Sequence, residues 1–352
     1  EAMQPAFPTL TFPNHYTLVT GLYPDHHGIV HNTMRDPALG RFALKNRTAV
    51  GDGRWWDEAE PIWVSAEQQG LHTATMFWPG SEARIRGRRP DYWFAFDKRR
   101  TPDARVDQVL HWLDLPARLR PSLITLYFDQ VDHEGHEHGP DAPEVDAVMA
   151  TVDAALARLV DGLRARGLYD RVNLVIVSDH GMTATPLSQV IYLDDLIDLR
   201  DVTLVTTEVP AELTPRPGHE ADVARALLAP HPHLQCARKD KLPARLHYGG
   251  SARIPAIVCL ADDGWQISTH AERAAKKHPS LGEHGYDNAD PAMRALFVAH
   301  GPAFRHGAVI AEFPNVDVYP LLARLLGIRA QPNDGDLAPL APALAAPAAA
   351  SR

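Results

Sequence analysis

The sequence predicts an α/β protein: a mostly parallel β-sheet flanked by helices, with an inserted α+β subdomain. In the first half of the chain, short apolar runs rich in β-branched residues alternate with amphipathic helical patterns. Such alternation is typical of parallel sheets that carry helices on both faces. A Pro-rich stretch of short strand-like runs then interrupts this alternation, which resumes near the C-terminus.

Residues 1–184 form the first part of the predicted core. Residues Thr9 to Gly21 predict a loop and a helix, with Pro13 in the first turn and Gly21 after the last turn. Thr11 then falls at or near the N-cap. Further helices are expected at Pro61–Gly70, Arg105–Leu113 and Ala142–Arg166, and further strands at His72–Phe77, Leu123–Phe128 and Val172–Ser178.

Three segments follow the first part of the predicted core. Residues 185–278 form the inserted subdomain, with strand-like runs at Asp201–Glu208 and Ile254–Ala261. Residues 279–340 return to the core, with a strand at Ala295–Ala299 and a helix at Val316–Leu326. Residues 341–352 are rich in Ala and Pro and predict a flexible tail.

Composition limits the possible functions. The 352 residues are 45% hydrophobic and 22% charged, as in soluble globular proteins. A net charge of −9 without a long basic run argues against binding to a DNA or RNA duplex. No apolar stretch reaches the roughly 18–20 residues of a membrane span, and no signal peptide is visible.

The two cysteines, Cys236 and Cys259, exclude a four-thiolate zinc site within one chain. A single disulfide and two separate buried thiols both remain open from the sequence.

Side chains able to bind metal follow two predicted strands. Asp179 and His180 come directly after one strand, Asp132 and His136 come shortly after another, and His284 lies between Gly282 and Gly285. Each group alone is compatible with a polar turn or a helix cap, and we expect Asp132 and His136 to lie in a loop. Together they predict one site outside the strand ends, with the oxygen and imidazole ligands that zinc accepts.

Thr11 is the candidate nucleophile, and Asn32 is the candidate donor to a phosphate oxygen. A threonine hydroxyl becomes a useful nucleophile only when a metal or a base activates it, and a plain N-cap role is the alternative. Asn32 can donate a side-chain N–H to a phosphate oxygen, and its alternative is a turn residue.

Five sequence motifs follow one another along the chain, at Pro8–Asn32, Asp132–Pro140, Ser178–Met182, His284–Asn288 and Asn315–Ile328. With these motifs the chain resembles the nucleotide pyrophosphatase/phosphodiesterases of the alkaline phosphatase superfamily. The resemblance covers nearly the whole chain to about Leu340. It implies an alkaline phosphatase-like fold and two zinc ions.

The resemblance also implies roles for individual residues. One zinc would be held by Thr11, Asp179 and His180, and the other by Asp132, His136 and His284. Thr11 would be the nucleophile and Asn32 a phosphate-oxygen donor. The nucleotide base would lie in a slot lined by Phe12, Leu44, Phe96 and Tyr127, for which ordinary core packing is the alternative.

One element of the family pattern is not found in this sequence. The family carries a further zinc-binding Asp at the end of its first strand, and the residues between Glu1 and Thr11 hold no such motif. We expect the strand and its Asp upstream of Glu1, since a core strand is hard to lose; the alternative is a protein impaired at one metal site.

The resemblance implies zinc-dependent hydrolysis of nucleotide diesters and dinucleotide pyrophosphates through a phospho-threonine intermediate, with release of nucleoside 5′-monophosphates. It also implies a periplasmic or secreted location. Three alternatives remain open: a phosphomonoesterase, a lipid or choline phosphodiesterase of the same superfamily, and a catalytically impaired binding protein.

Overall fold

The computed structural model describes residues 2–345. Its α-helices are α1 Thr11–Thr20, α2 Pro24–His27, α3 Arg47–Val50, α4 Ile62–Gln68, α5 Pro102–Leu113, α6 Gln130–His138, α7 Pro143–Ala165, α8 Glu220–Leu227, α9 His270–Ala275 and α10 Val318–Leu326. Its strands are β1 Met3–Gln4, β2 Thr33–Asp36, β3 Gly40–Ala43, β4 Thr73–Met76, β5 Tyr92–Trp93, β6 Leu123–Leu126, β7 Leu174–Val177, β8 Thr183–Ala184, β9 Val190–Tyr192, β10 Val202–Thr206, β11 Ala211–Pro215, β12 Leu234–Arg238, β13 Ile257–Ala261, β14 Gln266–Ser268, β15 Gly282–Glu283, β16 Phe297–His300 and β17 Phe313–Pro314.

The predicted helices and strands named above are present, with ends that differ by a few residues. Helix α1 begins at Thr11 and stops at Gly21, whose φ of 67° is a left-handed conformation that glycine adopts without strain. The strand predicted at Ala295–Ala299 is β16, displaced by one or two residues.

The core layers follow from side-chain alternation in β4 and β6. Strands β5, β4 and β6 form a parallel sheet in that order, while β7 pairs antiparallel with β16. Met76 and Ile124 lie in a cluster with Val106 of α5 and Leu159 of α7. Leu123 contacts the opposite cluster, which contains residues of α1, α4 and α10. Helices therefore cover both faces, because neighbouring strand residues point to opposite sides.

The inserted segment has its own antiparallel sheet, in the strand order β10-β11-β13-β12. A separate cluster of buried apolar residues covers it, and this cluster also includes Tyr286 and Met293 from beyond the predicted subdomain boundary. Cys236 of β12 and Cys259 of β13 are directly opposite each other and form a disulfide. The alternative of two separate thiols does not hold.

The predicted tail at 341–352 needs a correction in its first residues. A 3₁₀ helix spans Ala338–Ala343, and Leu344 is buried in a cluster with Phe304 and Leu340. Apolar side chains within the Ala/Pro-rich sequence are enough to attach residues 341–345 to the core. The remaining tail, residues 346–352, lies outside the described residues.

A buried carboxyl group connects the inserted segment to the core. Glu212 of β11 is fully buried, and its Oε1 lies 2.6 Å from the Tyr248 hydroxyl, which is 3.1 Å from the Val30 carbonyl oxygen. The Tyr248 hydroxyl donates to Glu212 Oε1, the shorter of its two contacts, and the Val30 carbonyl oxygen lies within reach of the same hydroxyl. Burial raises the pKa of Glu212 to about 8, so its carboxyl group keeps a proton at neutral pH.

We expect Glu212→Gln to remove a pH-dependent loss of stability. The folded protein keeps the Glu212 proton up to its pKa of about 8, whereas the unfolded chain releases it near the ordinary value of 4.5. The contribution of protonated Glu212 to the free energy of unfolding is therefore complete below pH 4.5 and declines as the pH rises from 4.5 to about 8. The decline is at most about 1.4 kcal/mol per pH unit. Urea unfolding across the window should show a flatter curve for the glutamine variant.

Glu220→Gln is the matched control, because Glu220 is exposed in the first turn of α8. Identical pH dependence in the Glu212→Gln variant and wild type would contradict a buried, protonated Glu212.

Within residues 2–345, no helix combines the length and the apolar character that crossing a bilayer requires.

Candidate active site

Three strand ends deliver the predicted metal-binding side chains to one place. Strand β6 leads into α6, which carries Asp132 and His136, and Asp179 and His180 follow β7 directly. The short strand β15 ends next to His284. The structure thus brings together side chains that are up to 152 positions apart, from Asp132 to His284.

Asp132 and His136 lie on a helix, so the expectation of a loop was wrong. Both fall within α6, where a separation of four residues places them on one face. Gly135 makes this arrangement possible, since a Cβ there would overlap the sulfur of Met182. Gly282 is restricted more firmly, because a Cβ there would overlap the backbone carbonyl group of Gly135. The two glycines let α6 and β15 approach closely enough for His136 and His284 to meet.

Thr11 begins α1 but does not cap it. The N-cap position is Leu10, and Thr11 Oγ1 instead lies 3.3 Å from His180 Nε2. The loop before Thr11 is held by the buried Asn14, whose side chain accepts from Ala6 N and donates to the Pro8 carbonyl oxygen. The alternative of a plain N-cap threonine therefore does not fit the structure.

Backbone carbonyl groups fix the orientation of the three histidine rings. His136 Nδ1 lies 2.7 Å from the Gly282 oxygen, His180 Nδ1 lies 2.8 Å from the Gly181 oxygen, and His284 Nδ1 lies 2.9 Å from the Thr9 oxygen. Carbonyl oxygens only accept, so each Nδ1 carries a proton and donates. Each Nε2 keeps a lone pair in the neutral ring, which is the arrangement typical of metal-binding histidines.

The acceptor atoms of the site face one another without hydrogens between them. His136 Nε2 and His284 Nε2 are 3.2 Å apart, and Asp132 Oδ1 lies 3.6 Å and 3.5 Å from them. Asp132 Oδ1 is buried and has no hydrogen-bond partner in the described part of the chain. Asp132, His180 and His284 each offer an atom within 4.8 Å of the other two. A divalent cation satisfies this set of atoms, so the residues fit a metal site.

Burial and neighbouring charges together shift the pKa values of three residues of the site. Burial raises the pKa of Asp179, but the neighbouring His180 and His15 outweigh this and hold it well below its usual range. Burial lowers the pKa of His180, yet Asp179 raises it to about 9. Burial and the nearby His180 keep the pKa of His284 well below its usual value. Asp179 is therefore a carboxylate with two imidazole rings beside it, an environment that favours its charged form.

Asn32 is buried beside the start of α1. Its Oδ1 accepts a 3.0 Å hydrogen bond from Phe12 N, which can only donate. This contact fixes the orientation of the amide and leaves Nδ2 as the donor group. The structure therefore brings Asn32 next to Thr11, with its donor available.

The four predicted base-slot residues lie in two pairs around α1. Phe12 packs against Phe42 and Trp56, and Leu44 N donates to the Asn32 carbonyl oxygen. The rings of Phe96 and Tyr127 lie 6.1 Å apart. All four side chains are half-buried, so each keeps an accessible part.

Two residues near the site, His15 and Glu82, were not predicted from the sequence. His15 Nδ1 lies 2.8 Å from the Thr11 carbonyl oxygen and 3.2 Å from Asp179 Oδ2, and its ring contacts Tyr127. A position four residues after Thr11 on one helix could have indicated this contact. Glu82 accepts from Phe96 N and pairs with Arg47, so it links the segments that carry Phe96 and Leu44. No sequence pattern around Glu82 indicates this link.

Comparison with known proteins decides the family. The sequence pattern of the type I phosphodiesterase/nucleotide pyrophosphatase family matches residues 1–287. The chain belongs to this family. The predicted resemblance is thereby confirmed, and so is the prediction that the chain is a phosphodiesterase by family.

Curated relatives agree over most of the chain. An uncharacterized pyrophosphatase/phosphodiesterase of Schizosaccharomyces pombe is 38% identical over 94% of this chain and 71% of its own length. Mouse ectonucleotide pyrophosphatase/phosphodiesterase family member 1 is 39% identical over 95% of this chain, which spans only 37% of that relative. A venom phosphodiesterase of Naja atra is 36% identical, with 95% and 41% covered.

Solved structures confirm the predicted alkaline phosphatase-like α/β fold. Human ectonucleotide pyrophosphatase/phosphodiesterase 5 has a TM-score of 0.93 at 35% identity, covering 98% of this chain and 91% of that one. An inactive threonine-to-alanine variant of the murine protein 5, in complex with AMP, has a TM-score of 0.92 at 36% identity, with 98% and 90% covered.

Proposed function

We propose that this phosphodiesterase hydrolyses nucleotide phosphodiester and pyrophosphate bonds through a phospho-threonine intermediate, with two zinc ions as cofactors. The observation that carries the proposal is the position of Thr11 Oγ1, which makes no cap and faces His180 within a cluster of Asp and His side chains. Products are a nucleoside 5′-monophosphate and the released group.

The proposed ligand sets divide the cluster in two. Thr11, Asp179 and His180 would hold one zinc ion, while Asp132, His136 and His284 would hold the other. The three Nδ1–H donors that fix the rings, and the unpartnered Asp132 Oδ1, support this division. Bound zinc would activate the Thr11 hydroxyl and offset negative charge on the leaving oxygen.

The protein side chains perform the remaining steps. Thr11 Oγ1 attacks phosphorus, so a P–O bond to Thr11 forms while the bond to the leaving group breaks. Asn32 Nδ2 donates to a phosphoryl oxygen as negative charge develops there. Water then cleaves the phospho-threonine ester, releases the nucleoside 5′-monophosphate and restores Thr11. Two in-line displacements predict overall retention at phosphorus.

The base of the substrate would stack between the half-buried Phe12, Leu44, Phe96 and Tyr127. Stacking of a base on an aromatic ring contributes roughly 1–3 kcal/mol in nucleic-acid binders. The structure of the murine relative with AMP supports a nucleotide as ligand. Small nucleotide diesters and dinucleotide pyrophosphates are therefore the proposed partners.

We expect nucleotide diesters to be hydrolysed at least roughly tenfold better than phosphomonoesters, judged by kcat/KM. Asn32 is a neutral donor and suits the single net charge of a diester, whereas a monoester adds a second charge. The assay compares a p-nitrophenyl nucleotide ester with p-nitrophenyl phosphate on the same zinc-loaded enzyme.

The same assay separates the alternatives. A preference for p-nitrophenyl phosphate would instead support a phosphomonoesterase. Turnover of a choline phospholipid alone would support a lipid or choline phosphodiesterase. An enzyme that binds zinc and AMP but turns over none of these would be the impaired binding protein.

The proposed location is the periplasm or the cell exterior. The disulfide between Cys236 and Cys259 supports it, because disulfides persist mainly in oxidising compartments.

A further inference from the structure

Arg105 of α5 is an unusual residue for a protein core. It is fully buried, and burying a cation is costly unless the surrounding groups pair with it completely. Its Nη2 has no hydrogen-bond partner within residues 2–345. Stability alone therefore does not account for an arginine at this position.

The guanidinium holds the segment between β6 and α6. Arg105 Nη1 donates to the Tyr127 carbonyl oxygen at 2.8 Å and lies 2.8 Å from Asp129 Oδ1. The second contact is an ion pair rather than an aligned hydrogen bond. Asp129 is the residue immediately before α6, the helix that carries Asp132 and His136. Arg105 thus fixes the point where the metal-binding helix begins.

The same side chain also contacts the segment that carries Phe96, a residue of the proposed base slot. Arg105 Nε donates to the Arg100 carbonyl oxygen at 3.0 Å, in the segment that follows Phe96. The guanidinium carbon lies 5.9 Å from the Phe96 ring centre and 5.1 Å from that of Phe77. Cations within about 6 Å of an aromatic ring face are attracted to it.

We propose that Arg105 is a positioning residue, which sets the base slot at a fixed distance from the phosphorus-binding site. One buried guanidinium contacts the Phe96 ring, the Tyr127 carbonyl and the start of α6, so movement of either part strains its other contacts. The inference rests on the proposed function. Lysine cannot replace this group, since a single ammonium lacks the planar fork of donors.

The experiment compares two diesters in Arg105→Lys and in Asp129→Asn. Misplacing the slot should lower kcat/KM for a p-nitrophenyl nucleotide ester by roughly tenfold, because part of the stacking contribution is lost. The rate for bis(p-nitrophenyl) phosphate, which carries no base, should stay nearly unchanged, as should the zinc content, because contacts with Leu281 N and the Gly282 oxygen still hold His136 in place. Calorimetric AMP affinity should fall in parallel with the nucleotide-ester rate.

Arg253→Met is the matched control. Arg253 is also buried, but it binds Asp36, Glu58 and the carbonyl oxygens of Gly28 and Trp55, none of which contacts Arg105. This variant should lower stability while leaving the ratio of the two diester rates as in wild type.

Each outcome decides the proposal. An equal loss on both diesters, or no loss on either, would show that Arg105 only stabilises the fold. If Arg105→Lys does not fold, Asp129→Asn decides by itself, since Asp129 is partly exposed and the change removes only the ion pair. If wild type binds AMP but cleaves neither diester, the proposed function fails, and AMP affinity in the variants still judges Arg105.

Discussion

Thr11→Ala is expected to reduce turnover of a nucleotide ester by at least roughly 10³-fold, the scale seen when a hydrolase loses its nucleophile. The hydroxyl is 3.3 Å from His180 and makes no cap, so its removal takes away the attacking atom without breaking the helix start. The free energy of unfolding should change by less than about 1 kcal/mol. Steady-state kinetics and urea unfolding measure the two effects on one sample.

Two further variants make this test specific. Thr20→Ala removes a buried hydroxyl from the same helix, one that donates to the Tyr16 carbonyl oxygen, and should leave activity intact. Thr11→Ser keeps a hydroxyl and should retain some turnover. Rapid acid quenching of wild type, followed by mass spectrometry, should find a nucleoside 5′-monophosphate group esterified to the peptide that contains Thr11. Wild-type rates in Thr11→Ala would mean that water or another residue attacks phosphorus.

His284→Ala is expected to remove one of the two proposed zinc ions and to lower kcat/KM by at least roughly 100-fold. His284 Nε2 lies 3.2 Å from His136 Nε2 and 3.5 Å from Asp132 Oδ1, so it completes the set of facing ligand atoms. Zinc content after gel filtration, measured by mass spectrometry, checks the first effect. Treating wild type with a strong chelator should abolish turnover, and adding zinc should restore it.

His138→Ala is the control for a general loss of histidine. His138 ends the same helix as His136 but pairs with Glu134 at the surface, so both zinc content and activity should persist. An active wild-type preparation without any divalent ion would exclude the two-metal mechanism.

Local sequence signals predicted the elements that bear the site. Pro13 and Gly21 mark the ends of α1, and a run of β-branched residues before Asp179 marks β7. Helix α6 was missed because Asp132 to His138 is polar with Gly135 at its centre, a composition that favours a turn when the sequence is read alone. Contact with β15 and Met182 stabilises the helix, and that contact does not exist in the local sequence.

The sequence by itself determined the α/β class, the order of the motifs and the identity of the metal-capable side chains. These depend on residue type and on spacing along the chain, which are local properties. Tertiary structure decided which atom of each group faces the site. The Nδ1 donors of His136 and His284 find carbonyl groups on other segments, and the contact with Phe12 N sets the orientation of the Asn32 amide. It also decided the disulfide and the burial of Arg105 between Phe96 and Asp129, because each joins residues that only folding brings together.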